Sequence, residues 1–214
     1  MDYKQSLDYL STLTDRERFK EFRFPDSLDH FYRFLEVIGN PHRELNGFLI
    51  GGTKGKGSTA HMVETICRNS GYSTGLYTSP HLLSYRERIR INGKMISEDR
   101  FASMIGVIST VESNISVFET LTAAAFLLFN RKKVEVPIFE VGLGGRLDAT
   151  NVIDPLVSVM TSISLDHTNI LGRTLREIAS EKSAIFRSRG FNISVPQDAG
   201  VLEVFNRDTE GRIE

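Results

Sequence analysis

The run Phe48-Leu49-Ile50, leading at once into Gly51-Gly52-Thr53-Lys54-Gly55-Lys56-Gly57-Ser58-Thr59, limits the fold more than any other stretch. A short apolar strand, a glycine-rich turn and then a helix present backbone N–H groups and a positive dipole end to an anion. The loop departs from the usual G-x-x-x-x-G-K-[ST] spacing, because Ile50 stands where the first glycine belongs and Gly57 separates Lys56 from Ser58. What remains is G-x-x-G-K-G-S-T, a variant. A glycine-rich turn that binds nothing is the bland alternative. Four glycines in seven residues plus a lysine, between strand and helix, favour nucleotide phosphate instead. Lys56 would then meet the terminal phosphates, with Ser58 or Thr59 beside Mg²⁺.

The rest of the chain alternates strands and helices. The first forty residues read as helical, with Phe31, Phe34, Leu35 and Ile38 on one face and Gly39 and Pro41 as stops. The helix after the glycine loop is expected to place Met62, Val63, Ile66 and Cys67 on one face. Strands are expected at Ser73 to Thr78, Val136 to Val141, Leu156 to Thr161 and Ile193 to Val195, and Asn92-Gly93 marks a hairpin within Arg88 to Ile96. Phe101, Met104, Ile105 and Ile108 mark another helix, and Phe118 to Asn130 a buried one. Thr174 with Glu177 is a capping box opening a helix to about Arg189. This order predicts an α/β domain with a mainly parallel sheet.

Composition narrows the function classes. With 26 Lys+Arg against 27 Asp+Glu, the net charge of −1 argues against non-specific nucleic-acid binding. The apolar stretch Leu121 to Phe129 is too short to span a bilayer, and Met1-Asp2-Tyr3-Lys4 does not open a signal peptide. The single cysteine, Cys67, suits a reducing compartment. The expectation is a cytoplasmic protein with no membrane partner.

Parallel sheets bind ligands outside the carboxyl ends of their strands. The glycine loop follows the first strand, Ser79 the second, Glu140 closes the third, and Asp166-His167 follow the fourth. Glu140 is a carboxylate in an otherwise apolar strand, explained either by a metal or by a solvent-facing edge. His167 alone is most often a surface histidine, but its strand-end position makes it a candidate ligand. Gly142 to Asn151 is a second glycine-rich loop, either a flexible connection or one that closes over a polar substrate. Lys182 falls on the apolar face formed by Leu175, Ile178, Ala179, Ile185 and Phe186. It either snorkels to water or, if desolvated, has a lowered pKa and a reactive neutral amine.

These residues resemble a known family. The motifs Gly52-Thr53-Lys54-Gly55-Lys56-Gly57-Ser58, Tyr77-Thr78-Ser79-Pro80-His81-Leu82, Phe139 to Asn151, Leu165 to Gly172 and Ile178-Ala179-Ser180-Glu181-Lys182 are similar to those of dihydrofolate synthase/folylpolyglutamate synthase, of the Mur ligase superfamily. The resemblance implies a three-layer P-loop-type α/β domain with a mainly parallel sheet, like the Mur ligase central domain. It implies that residues 52–59 (Gly52, Thr53, Lys54, Gly55, Lys56, Gly57, Ser58 and Thr59) hold ATP. It implies that Ser79, Glu140 and His167 ligate Mg²⁺ and that Lys182 is carbamylated, so that Lys56, Lys182 and His167 serve catalysis. Phe118 and Asp148 match pterin-pocket positions, and the loop carrying Arg146, Ala149 and Asn151 follows the branch that acts on dihydropteroate. The implied reaction joins L-glutamate to dihydropteroate or a reduced folate through an acyl phosphate, in a monomeric enzyme.

The implied organisation is an N-terminal helical segment at 1–45, an ATP-binding ligase domain at 46–197 and an incomplete tail at 198–214. The family's C-terminal amino-acid-binding domain is absent, so the chain is expected to be truncated and to bind Mg-ATP without completing the ligation. Ser183-Ala184 stand where the family usually has Ala-Gly. Two other readings are a Mur-type ligase acting on a cell-wall precursor and an inactive nucleotide-binding remnant.

Overall fold

The computed structural model describes residues 1–15 and 27–214; the portion of the expected N-terminal helical segment at 16–26 lies outside them. The ordered elements run α1 (Tyr3–Thr12), α2 (Asp29–Val37), β1 (Phe48–Gly51), α3 (Lys56–Asn69), β2 (Thr74–Tyr77), β3 (Ile89–Ile91) and β4 (Lys94–Met95). They continue through α4 (Glu98–Ile108), α5 (Val117–Arg131), β5 (Val136–Glu140), β6 (Val157–Met160), α6 (Thr168–Leu171), α7 (Leu175–Lys182), β7 (Phe191–Ser194) and α8 (Ala199–Thr209). Seven strands form one sheet in the order β4-β3-β2-β5-β1-β6-β7. The five from β2 to β7 are parallel, and the β3–β4 hairpin adds antiparallel to β2. Asn92 and Gly93 both take positive φ in that hairpin turn, as a two-residue loop of this twist requires.

Successive residues of the central strands feed opposite faces of the sheet. Leu49, Tyr77 and Phe139 join the large core under α1, α4, α5, α7 and α8. Their neighbours Ile50, Leu76 and Ile138 pack with Ala60 of α3 on the other face. Helices on both sides of a mainly parallel sheet are the three-layer α/β architecture expected. Helix α5 opens on a capping box in which the Ser116 side chain meets the Glu119 N–H, and Leu121 to Phe129 behind it are buried throughout. No described helix is long and apolar enough to cross a membrane.

Four sequence expectations need correction. In α3 the inward stripe is Ala60, Val63, Glu64 and Cys67, while Met62 and Ile66 are 64% and 66% exposed. The loop sets the helix rotation, and Glu64 is tolerated inside because its carboxylate accepts from Arg68 Nε at 3.0 Å and Thr74 Oγ1 at 2.7 Å. Helix α7 ends at Lys182, not near Arg189. Its chain tightens into a 3₁₀ turn at Ser183–Ile185, because Ile185 is drawn onto the sheet, where Ser158 Oγ donates to its carbonyl at 2.7 Å. The last strand is Phe191–Ser194, not Ile193 to Val195, its register set by parallel pairing with β6. Finally, 198–214 contains α8, whose Val201, Val204 and Phe205 are buried, and Glu214 exchanges backbone hydrogen bonds with Asn192 and Ser194.

Candidate functional site

The glycine loop leaves the carboxyl end of β1 and is tied down on its far side. The Thr53 N–H donates to the Ser162 carbonyl at 2.8 Å, and Thr53 Oγ1 both donates to Ser164 O and accepts from Ser164 N. Lys54 bridges to Ser162. Gly52 takes φ +133°, and a Cβ there would lie 1.9 Å from Thr161 Oγ1, so no other residue fits. Gly55 is the left-handed N-cap of α3, which places Lys56, Gly57, Ser58 and Thr59 in its first turn. Orphan N–H groups of a helix start therefore face the mouth of the loop. Lys56 Nζ rests 3.4 Å from the Thr53 carbonyl.

Glu140 closes β5, a central strand between β2 and β1, which excludes the edge-strand explanation. Its side chain is buried, and the Ser79 N–H donates to Oε2 at 3.0 Å. A Cβ on Gly57 would sit 3.3 Å from both carboxylate oxygens, so this glycine lets the helix start approach the acid. Burial pushes the carboxyl pKa above its ordinary value, against the Ser79 N–H, Lys56 and the Gly57 N–H, while Asp148 adds to the rise.

Lys182 answers the question its sequence position posed. It is 4% exposed, and Nζ donates to the Gly52 carbonyl at 2.9 Å. It does not snorkel. Burial first and Lys56 second lower its pKa to about 8, with Asp166 and Asp148 opposing. Lys56, Glu140, Lys182 and Asp148 thus share one electrostatic neighbourhood.

His167 is placed differently. It adopts a left-handed φ of 47° just before α6, its side chain is about half exposed, and Nε2 lies 3.8 Å from Asp166 Oδ1. Among the described residues no three His, Cys, Asp or Glu side chains form a ready-made metal cluster. The Ser79 N–H meets Glu140, and His167 stands half exposed beside Asp166.

The second glycine loop is folded onto the protein, where sequence left open a flexible connection. Asp148 is buried and accepts from the Leu143 N–H at 2.9 Å, the Thr150 N–H at 2.9 Å and Thr150 Oγ1 at 2.5 Å. Burial raises its pKa despite those donors. Phe118 of α5 leans on Tyr77, ring centroids 6.1 Å apart, and would touch a Cβ on Gly142, as would Asp148. The structure therefore brings Phe118 and Asp148 together across Gly142. Arg146 turns towards α7, donating from Nη2 to Ser180 O at 3.0 Å and pairing with Glu181 at 3.3 Å. Ala149 is buried, and Asn151 Nδ2 donates to the Arg146 and Ala184 carbonyls. Arg146 contacts the end of α7, and Asn151 contacts Arg146 and the turn that follows α7. Sequence reading missed Arg187, which donates from Nη2 to Asn151 Oδ1 at 2.8 Å; a single arginine beyond a helix carries no motif to find it by.

A glycine loop at a strand end, a helix start and a buried carboxylate define an α/β nucleotide-phosphate domain. The chain belongs to the Mur ligase middle domain family, whose pattern matches residues 50–210. It is 35% identical over 199 residues to the dihydrofolate synthase/folylpolyglutamate synthase of Bacillus subtilis, covering 89% of this chain and 46% of that protein. The Mycobacterium tuberculosis folylpolyglutamate synthase complexed with ADP superposes with a TM-score of 0.84 at 33% identity, over 99% of this chain and 49% of that one. An FPGS–AMPPCP–folate complex gives 0.89 at 28% identity, over 99% and 52%. The chain spans about half the length of these relatives.

Proposed function

We propose that this chain is the ATP-handling portion of a dihydrofolate synthase/folylpolyglutamate synthase, a cytoplasmic, monomeric ligase joining L-glutamate to dihydropteroate or a reduced folate. The observation that carries the proposal is the convergence of the Gly52 to Thr59 loop, the start of α3 and the buried Glu140 at one end of the sheet. The loop N–H groups and the α3 dipole hold the phosphates, and Lys56 balances charge on the terminal one. The substrate carboxylate attacks the γ-phosphorus, releasing ADP and leaving an acyl phosphate. The amine of L-glutamate then attacks the acyl carbon, expels phosphate and loses a proton as the amide forms. Phe118 and Asp148, which meet across Gly142, would line the pterin pocket, with Arg146, Ala149 and Asn151 on the same loop.

The donor set fits Mg²⁺. Glu140 is a desolvated carboxylate that accepts from the Ser79 N–H, and a cation is what such a group lacks. Ser79, Glu140 and His167 would hold it, and it would neutralise charge on the polyphosphate. Lys182, with a pKa near 8, has a sizeable neutral fraction at neutral pH and can add CO₂, its nitrogen losing a proton as the carbamate forms.

The test is calorimetric titration of the 214-residue chain with AMPPCP and Mg²⁺. Binding that weakens by roughly tenfold or more in Lys56→Ala is expected. Absent binding, or binding indifferent to Lys56, would overturn the nucleotide assignment. Dihydropteroate against a UDP-linked precursor, assayed by ADP release in the protein carrying the relatives' full length, decides the substrate class.

A further inference from the structure

Arg187 sits in the extended stretch that leaves the 3₁₀ turn after α7. From Nη1 it donates to the carbonyls of Ala184 at 3.1 Å and Phe186 at 3.2 Å. From Nη2 it donates to the backbone and side-chain oxygens of Asn151, at 3.0 and 2.8 Å, and to the Ile153 carbonyl at 3.0 Å. Its backbone is stitched to β7 as well: the N–H donates to Asn192 Oδ1 at 3.1 Å, and Asn192 Nδ2 returns to the Arg187 carbonyl at 2.9 Å. The side chain, 22% exposed, thus joins the turn after α7 to the end of the Gly142–Asn151 loop, while the Arg187 backbone ties that turn to the start of β7.

Lys182 is the last residue of α7, directly before the turn that Arg187 ties down. Gly145 packs so tightly on the same helix end that a Cβ would be 2.7 Å from the Glu181 carbonyl and 2.8 Å from that of Lys182. The last carbonyls of a helix have no partners within it and otherwise turn to water. Of the last α7 carbonyls, Ala179 accepts from the Ser183 N–H, Ser180 from Arg146 Nη2 and Glu181 from the Arg146 N–H, while in the turn just beyond Arg187 takes Ala184 and Phe186 and Asn151 shares Ala184. A helix end with satisfied carbonyls does not fray, and only an end that stays in place keeps a buried amine on the Gly52 carbonyl.

We propose that Arg187 is a positioning residue for Lys182: by bolting the Asn151 end of the glycine loop to the turn after α7, it holds the Lys182 amine against the phosphate loop. The consequence for nucleotide binding rests on the function proposed above; the consequence for Lys182 itself does not. A lysine at 187 is a single point donor and does not reproduce a planar fork serving both rows of acceptors.

The test combines two readouts on Arg187→Lys, Arg187→Gln and Arg187→Ala. The first is acylation of Lys182 by an amine-reactive ester, read by peptide mass spectrometry against the exposed Lys94 in the same sample. The second is AMPPCP affinity with Mg²⁺. The unaltered chain protects Lys182. Arg187→Lys is expected to keep its cooperative melting yet lose that protection by roughly tenfold, with weaker AMPPCP binding. Free guanidinium added to Arg187→Ala restores both. If Arg187→Ala does not fold, Arg187→Lys and Arg187→Gln still decide. Folded Arg187→Lys with Lys182 as protected as before overturns the proposal. If the unaltered chain fails to bind AMPPCP, the functional reading falls, and the acylation result judges Arg187 by itself.

Discussion

The chain carries two glycine-rich loops that each leave a strand of the same sheet, and they are built for opposite ends. In the first, Gly52 to Thr59, Lys54, Gly55 and Ser58 are exposed and the donors gather at the start of α3. In the second, Gly142 to Asn151, the donors turn inwards: Leu143 and Thr150 give theirs to the buried Asp148, Arg146 gives to α7 and Asn151 to the turn after it. Glycine in the first loop lets the chain pack against Thr161 and the helix start approach Glu140; in the second it lets backbone approach backbone, as Gly145 does at Lys182. Similar composition therefore says little about what a loop binds. What matters is whether its polar atoms are already taken.

The largest effect expected from testing this contrast is at Gly52. Gly52→Ala forces a Cβ within 1.9 Å of Thr161 Oγ1 at a φ that disfavours any side chain. Loss of AMPPCP binding together with more than about 3 kcal/mol of stability should follow, read by calorimetry and denaturant melts. A tolerated alanine would mean the first loop is not rigidly held. Next comes Asp148→Ala, which strands the Leu143 and Thr150 N–H groups. A loss of about 3 kcal/mol is expected, with Lys56-dependent nucleotide binding retained. If binding vanished while stability held, the two loops would not be separable as described.

The smallest effect concerns pH. The Lys182 pKa falls from 10.5 to about 8 on folding, so between those values the unfolded chain holds a proton that the folded chain has shed. Stability attributable to this group therefore rises with pH across that window and is flat below it. Lys182→Met should erase the alkaline rise in melting temperature. A slope identical in both proteins would show that the buried amine does not titrate as its surroundings dictate.

How much of this could be read in advance differs from residue to residue. The glycine loop, the Asn92-Gly93 hairpin and the Thr174–Glu177 capping box are local, since each follows from a few neighbouring residues and their allowed dihedrals. The anomaly of Lys182 was visible because a charge interrupted an apolar stripe. The rotation of α3 was not, since Met62 and Ile66 keep helical spacing as well as Ala60 and Glu64 do, and burial depends on what the sheet presents. Nor was α8, although Pro196 and the N-cap Asp198 stand just before it.

Alone, the sequence determined the alternation of strands and helices, the phosphate-type loop and the candidates at the strand ends, because local sterics and hydrophobic period act over a few residues. Tertiary structure decided that Glu140 is central and desolvated, that Lys182 reaches Gly52, that His167 stays at the surface and that Arg187 ties three segments together. Those are contacts between residues far apart in the chain, and neither period nor spacing carries a distance through space.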